Sequence, residues 1–318
     1  MENLIRLLGD GRFHSGEELG SALGVSRAAV WKKLKALSDL GLELDAVRGK
    51  GYRLPSGVEL LDRSRIDKEI PDKIKDDVAI DLRMLTSSTN DDVRSIEGDA
   101  RWRVCMAEYQ SGGRGRRGRV WQSPFGASLY FSMLWNVESG LAAMEGLSLA
   151  VGLTVLKTLE SSGVSGLTLK WPNDVLMDGR KLAGVLLEIS GDPTGSCEVV
   201  IGVGINLVLG PEQKKKIDQP VTDVKTAAGM SISKNKIAGR LIANLSSMLS
   251  TFQGYGFAPY REQWSQYDAF AGRPVVLYIG ANTIAGISVG VNDSGAVLIK
   301  NDAGTSSYAG GEISLREL

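Results

Sequence analysis

The sequence predicts a multidomain α+β protein in three units, residues 1–64, 65–269 and 270–318. Three observations carry this expectation. Helix caps and amphipathic spacing crowd the N-terminal end and lead into a short hairpin pattern. The middle mixes strands and helices without a strict βαβ rhythm, and the C-terminal end breaks into short strands between Asn-, Asp- and Gly-rich turns. A length of 318 residues suits two or three domains.

In the first unit, Glu2 to Leu8 reads as a short amphipathic helix closed by Gly9-Asp10-Gly11. Ser15 and Glu18 form a capping box that opens a second helix, Glu17 to Leu23. Gly24 supplies the turn, and Ser26 caps a third helix that runs to about Leu40 and stops at Gly41. Val30, Leu34, Leu37 and Leu40 give this helix its apolar stripe. Leu42 to Val47 and Tyr52 to Leu54 then flank Arg48-Gly49-Lys50-Gly51 as a hairpin. The order is that of a helix-turn-helix followed by a wing, with the third helix in the recognition position. Residues 27–53 carry seven basic side chains against three acidic ones, a net +4 patch on a chain of zero formal charge. A small three-helix bundle with a solvated basic face would show the same charge. The helix lengths, the turn glycine and the basic-tipped wing favour DNA, with Ser26, Arg27, Trp31, Lys32, Lys33, Lys35, Arg48 and Lys50 as the expected contacts. A neutral whole chain implies modest, dimer-dependent binding.

A hinge near residues 62–65 leads into the second unit. Leu82 to Leu85 reads as a strand, and Thr86 to Asp92 as a helix start rich in hydroxyls and carboxylates. Val104 to Gln110 and Ser128 to Met133 are strands on either side of a glycine-arginine loop. A helix over 146–162 follows, then strands Leu167 to Trp171 and Lys181 to Ile189, which bracket Pro172-Asn173-Asp174 and a tight turn at Asp178-Gly179. Val199 to Leu207 is a further strand and Ile237 to Thr251 a helix. In the third unit, Pro274 to Tyr278, Thr283 to Val289 and Ala296 to Lys300 are short strands, spaced as in a small all-β barrel.

Composition narrows the chemistry. With 43% apolar and 23% charged residues, no uninterrupted apolar span and no signal-peptide pattern at Met1-Glu2-Asn3, a cytoplasmic protein with no membrane association is expected. Cys105 and Cys197 make neither a disulfide framework nor a metal cluster, so no metal ligands are assigned. The only histidine, His14, lies in the first unit. Chemistry elsewhere must therefore use Lys, Arg, carboxylates, backbone dipoles and any Mg²⁺.

The loop Ser111 to Trp121 sets four arginines among four glycines. Its Gly113-x-Gly115-x-x-Gly118 matches a dinucleotide fingerprint, but that motif needs a following helix, and here turn and strand residues follow. Two readings stay open from the residues alone: a loop that closes over a small anion, since arginine forks fit carboxylate and phosphate, or a solvated or nucleic-acid-binding basic tract.

Five segments in order then carry a resemblance: Ser87-Ser88-Thr89-Asn90, Gly112 to Arg119, Lys170-Trp171-Pro172-Asn173-Asp174, Arg180-Lys181-Leu182-Ala183-Gly184 with Glu188, and Gly202-Val203-Gly204-Ile205-Asn206. Together they resemble the catalytic segments of the biotin protein ligases. The N-terminal module with Gly49-Lys50-Gly51-Tyr52 resembles the bifunctional form, ligase and biotin-operon repressor in one.

The resemblance implies a class II synthetase-like mixed sheet in the centre and an SH3-like C-terminal barrel. It implies that biotin and ATP, with Mg²⁺, give biotinyl-5′-AMP and pyrophosphate. The biotinyl group then passes to a lysine of the biotin carboxyl carrier protein of acetyl-CoA carboxylase. The adenylate would also act as corepressor, inducing a homodimer on operator DNA. On matching positions, Ser88, Thr89, Asn90 and Gln110 would hold biotin, Arg114, Gly115 and Arg116 its carboxylate and the adenylate phosphate, and Lys181 the reacting centre. Arg119 joins the expected nucleotide contacts with Arg116. Asp174 is a candidate for steering and deprotonating the acceptor lysine, or an Asx turn. Trp121 shields adenine or an apolar ligand face, or belongs to the core. Asn206 contacts adenine or phosphate, or ends a strand, and Arg316 contacts the nucleotide or lies in a frayed tail. Asp91, directly after Asn90, departs from the family pattern: a carboxylate there adds charge near a helix start, should not disturb ureido recognition, and could alter loop packing. Besides the bifunctional reading, a ligase whose N-terminal module no longer represses and a ligand-sensing repressor with an inactive ligase fold remain distinct possibilities.

Overall fold

The computed structural model describes residues 1–42, 44–54, 59–137, 144–192, 195–229, 232–280, 282–309 and 313–317. The first unit contains α1 (Glu2–Leu8), α2 (Gly16–Leu23), α3 (Arg27–Asp39) and a two-stranded wing, β1 (Asp45–Val47) with β2 (Gly51–Arg53). Its local signals work as the residues dictate. The Ser15 hydroxyl accepts from Glu18 N–H while the Glu18 carboxylate accepts from Ser15 N–H, and Ser26 caps α3 through Ala29 N–H. Gly24 turns the chain in the left-handed region at φ 64°. Val30, Leu34 and Leu37 point inward with Leu4, Ile5, Leu8 and Leu19.

The second unit is built on a seven-stranded sheet. In chain order it adds α4 (Arg63–Asp67), α5 (Asp72–Lys75), β3 (Val78–Arg83), α6 (Thr89–Asp92), β4 (Trp102–Ala107), β5 (Ser128–Val137), α7 (Leu147–Ser161), β6 (Leu167–Lys170), β7 (Asp174–Met177), β8 (Arg180–Gly191), β9 (Cys197–Asn206), α8 (Pro211–Lys215), α9 (Val224–Ala228), α10 (Lys234–Tyr255) and α11 (Arg261–Gln266). The sheet order is β3-β4-β5-β9-β8-β7-β6, with only β3 and β4 parallel. Asp174, expected beside Pro172-Asn173 between two strands, opens a strand of its own that runs to Met177.

Successive side chains on a strand point to opposite faces, and that alternation separates core from site. Leu129, Phe131, Met133 and Trp135 on β5 and Val199, Ile201, Val203 and Ile205 on β9 enter one core with α7 and α10. The intervening positions face the other way: Leu134 and Val200 join Val93 and Cys105 in a smaller apolar cluster, while Ser132, Gly202 and Gly204 are small or polar. A hydrophobic sheet face sealed by two helices thus leaves an opposite face with a local patch of hydroxyl and glycine.

The third unit comprises β10 (Pro274–Ile279), β11 (Asn282–Val291), β12 (Val297–Asn301), β13 (Gly304–Tyr308) and β14 (Ile313–Glu317), paired antiparallel in the order β13-β12-β11-β10-β14. Among the described residues β13 and β14 are the two edges and do not pair, so the expected closed barrel is an open sheet here. The apolar face is covered from outside: Val275, Leu277, Val297, Ile299 and Leu315 belong to the same core as the central sheet. Among the described residues, no helix is long and apolar enough to cross a membrane.

Candidate active site

The small-residue face of the central sheet opens into a pocket of about 60 Å³. One wall is polar. Thr89 N–H and Oγ1 both reach Gln110 Oε1, at 2.9 and 3.0 Å, and Gln110 Nε2 donates to Ser123 Oγ at 3.1 Å. Ser132 Oγ lies 2.7 Å from Thr89 Oγ1 and 2.6 Å from Asn90 Oδ1. Ser88, Thr89 and Asn90 are all buried around the start of α6. This wall presents hydroxyl and amide groups of both polarities without a formal charge.

The floor is glycine. Gly184 on β8 and Gly204 on β9 are register partners, and a Cβ on Gly204 would come within 2.5 Å of the Trp121 ring. Only glycine lets an indole lie this close to the strand backbone. Among the described residues, the buried Trp121 Nε1 meets no hydrogen-bond partner there.

The opposite rim is charged. Lys181 Nζ sits 2.7 Å from Asp174 Oδ1 and 5.2 Å from the centre of the Trp121 ring. A bulge aims this lysine: one step on β7, from Val175 to Leu176, spans two on β8, from Ala183 to Lys181. The extra residue, Leu182, drops into the core and puts Lys181 on the Gly184 face. Arg116 Nη1 lies 3.4 Å from Asn173 Oδ1. Burial lowers its pKa, Asp174 opposes that shift, and the like charges of Arg117 and Arg119 add to it. Lys170 is lowered for the same reasons: burial first, then Lys181, Arg316 and Arg119, with Asp174 opposing. Lys181, Arg116 and Lys170 thus share the Asp174 carboxylate, with further like charges nearby, and such a field favours a polyanion.

The loop between wall and rim closes on itself. Gly115 N–H donates to Arg119 O at 2.7 Å, Trp121 N–H donates to Gly113 O at 2.9 Å, and Arg114 bridges Val120.

Residues 83–206 match the model of the biotin/lipoate A/B protein ligase family, residues 1–53 an HTH domain, and residues 270–316 the biotin protein ligase C-terminal domain. The chain is 42% identical to the bifunctional ligase/repressor BirA of Salmonella typhimurium over 98% of this chain and 96% of that protein. The Escherichia coli protein of the same name is also 42% identical, with the same coverage. The chain belongs to the biotin protein ligase family. A solved family structure, the biotin protein ligase from Aquifex aeolicus in complex with biotin and ATP, matches 75% of this chain and 99% of its own at TM-score 0.65 and 28% identity.

Within this biotin protein ligase, the structure brings Ser88, Thr89, Asn90, Gln110, Arg114, Gly115, Arg116, Trp121 and Lys181 to one pocket. Asp174 joins them through Lys181, in a strand and not in an Asx turn. Arg119 is exposed at the rim, and Arg316 lies on β14 with its guanidinium 5.3 Å from the centre of the Tyr278 ring. Asn206 is different: it is buried at the end of β9, its amide donating to Thr222 O and its oxygen near Ser128 Oγ. That geometry makes it a tether for the strand end. Ser132 and Lys170 were not singled out as site residues in the sequence. Ser132 could have been found as a hydroxyl on the Tyr130 face of an apolar strand, and Lys170 as a cation next to the Trp171-Pro172-Asn173-Asp174 turn.

The expected DNA contacts lie on α3 and at the wing turn of the first unit. Arg27, Lys32, Lys35, Arg48 and Lys50 are exposed, and Lys33 is half-buried. Trp31 is 59% exposed on α3 with Lys35 Nζ 5.9 Å from its ring centre. An exposed tryptophan beside a lysine is unusual on a helix of a folded unit.

Proposed function

We propose that this chain is an ATP-dependent biotin protein ligase that also acts as a biotin-responsive repressor. The observation that carries the reading is a pocket that sets Lys181, paired with Asp174, and Arg116 beside an uncharged polar wall, in a chain 42% identical over 98% of its length to a ligase/repressor.

The wall of Ser88, Thr89, Asn90 and Gln110, joined by Ser132, suits a ureido ring, which both donates and accepts. The carboxylate would then point toward Gly115, Arg116 and Lys181. In the first step a biotin carboxylate oxygen attacks the α-phosphorus of ATP, the α–β bridging bond breaks, and pyrophosphate leaves. Two anions meet, so fixed cations lower the barrier by offsetting charge that grows toward the leaving group. Arg116 and Lys181 fill that role, with Lys170, Arg119 and Arg316 along the triphosphate and Trp121 against adenine or the ligand's apolar face. Among the described residues no group of three His, Cys, Asp or Glu side chains could hold a metal, so Mg²⁺ would ride on the phosphates and neutralise them. In the second step the acceptor lysine nitrogen attacks the biotinyl carbonyl carbon, AMP leaves, and the amine loses a proton. Asp174 is positioned to steer that ammonium and take the proton.

The acceptor is a biotin carboxyl carrier protein, and the DNA partner is an operator bound by a homodimer that biotinyl-5′-AMP promotes. Each subunit's basic face is small, so pairing two of them switches affinity without altering a contact. An inactive ligase fold retained for sensing would have no need of the Lys181–Asp174 pair. Transfer of labelled biotin to a carrier domain, with and without ATP, tests the enzyme: no ATP-dependent label on the carrier refutes it. A gel shift with biotin and ATP tests the repressor, and sedimentation with and without adenylate tests the dimer.

A further inference from the structure

Building on the ligase reading, we propose that Asp91 and Glu188 are positioning residues that clamp Arg114, and that this clamp, not a contact of Arg114 with ligand, sets how long the adenylate stays bound. Arg114 Nε donates to Glu188 Oε1 at 2.8 Å and Nη2 to Glu188 Oε2 at 3.0 Å. On its other edge Nη1 reaches Asp91 Oδ2 at 2.9 Å and Nη2 reaches Asp91 Oδ1 at 2.7 Å. A guanidinium has five N–H donors, so these four bonds leave one. The three side chains together carry a net negative charge, which would repel an arriving carboxylate or phosphate. Arg114 is therefore poorly placed as the anion contact that its position in the loop suggests.

What it does hold is the loop. Asp91 lies on α6 directly after Thr89 and Asn90, and Glu188 lies on the strand that carries Lys181. Through the Arg114–Val120 bridge the clamp fixes the outgoing limb of the loop and the returning limb just before Trp121. It thereby ties the loop to α6 on one side and to β8 on the other. Arginine's planar fork is needed for this, because a lysine could not serve two carboxylates side by side. The Arg114 guanidinium holds the Asp91 carboxyl below its ordinary pKa. All three side chains are partly exposed, and pairs of this kind add little to global stability. The clamp can therefore be loosened without unfolding the protein.

The test uses the full-length protein loaded with labelled biotinyl-5′-AMP from biotin and ATP. Adenylate release is measured after a chase, beside the single-turnover adenylation rate and the thermal midpoint. Asp91→Asn and Glu188→Gln should each speed release about three- to five-fold, the size of one partly exposed pair, with midpoint and adenylation rate unchanged. Asp91→Glu should restore slow release, and Asp91→Asn should add nothing in an Arg114→Gln background. Unchanged release in both single variants overturns the clamp. Slower release does so too, because that is the sign expected if the carboxylates compete with ligand for Arg114. Wild-type protein that forms no adenylate overturns the ligase reading, and the clamp's role in retention with it.

Discussion

Replacing Lys234 by methionine should destabilise the protein by about 3–5 kcal/mol, the usual cost of stranding one partner of a buried ion pair. Lys234 opens α10, and its ammonium pairs with the Glu108 carboxylate; the two side chains are only 2% and 3% exposed. Without the lysine, Glu108 would keep one described bond, from Leu61 N–H at 2.5 Å. That cannot replace an opposite charge in a site closed to water. The double variant Glu108→Gln with Lys234→Met removes the stranded charge while keeping an acceptor for Leu61, and should recover to within about 1–2 kcal/mol of wild type. The effect reaches the joint between the first two units. Glu59 meets Lys234 N–H and Ser233 Oγ at 2.6 Å each, and Asn235 bonds Leu60 O at 2.9 Å and Asp62 N–H at 2.7 Å. Guanidinium chloride unfolding followed by tryptophan fluorescence measures both variants. A single variant within about 0.5 kcal/mol of wild type, or a double variant no better than the single, refutes the argument.

Lys181→Ala and Arg116→Ala should each slow formation of biotinyl-AMP by about a hundredfold or more; near-normal rates in either variant remove that residue from the adenylation step. Gly204→Val should abolish biotin binding in calorimetry, because its side chain needs the space that Trp121 now fills; wild-type affinity would mean that the floor is not part of the site. Neither cysteine should react with a thiol reagent at pH 8 until the chain is unfolded, since both are buried. Burial pushes the Cys105 thiol up to about 12, so its contribution to stability is complete below the ordinary thiol range, about 8.5, and is lost as pH rises through the folded value. A stability curve that rises over that interval contradicts the assignment. Deleting residues 1–64 should abolish operator binding while adenylation persists, and equal binding by residues 65–318 in a gel shift would place the DNA site elsewhere.

Much of this was legible because it is local. The caps at Ser15 and Ser26 and the stripe at Val30, Leu34 and Leu37 depend on neighbours within a few residues, and all formed as their spacing required. The pocket residues were legible through ordered motifs. What stayed hidden depends on pairing between distant segments. The strand Asp174–Met177 was obscured by the Trp171-Pro172-Asn173 turn before it and Asp178-Gly179 after it. The bulge at Leu182 exists only in the register of β7 against β8. Barrel closure could not be read from strand spacing, because the central core seals the sheet's apolar face. Asn206 and Arg114 look alike in sequence terms, as polar residues within motifs. Their partners, Thr222 and the carboxylates of Asp91 and Glu188, lie far away in the chain.

The arginine loop and the DNA-binding unit are also joined mechanically. Phe125, four residues after Trp121, is 2% exposed and packs in the core of the first unit with Leu4, Leu8 and Leu37. Its N–H donates to Leu40 O at 3.1 Å, at the end of the recognition helix. Tyr109, one residue before Gln110, packs against the same core, so the loop enters and leaves the ligase pocket through side chains held by the winged unit. Behind Trp121, between Leu40, Gly41 and Ile217, lies a cavity of about 220 Å³. The indole therefore rests on the ligand floor on one side and borders the seam between units on the other. A displacement of Trp121 would therefore be carried along the chain itself to Phe125, which is anchored beside the recognition helix. That route is short and covalent: the Phe125–Leu40 hydrogen bond lies four residues beyond the indole.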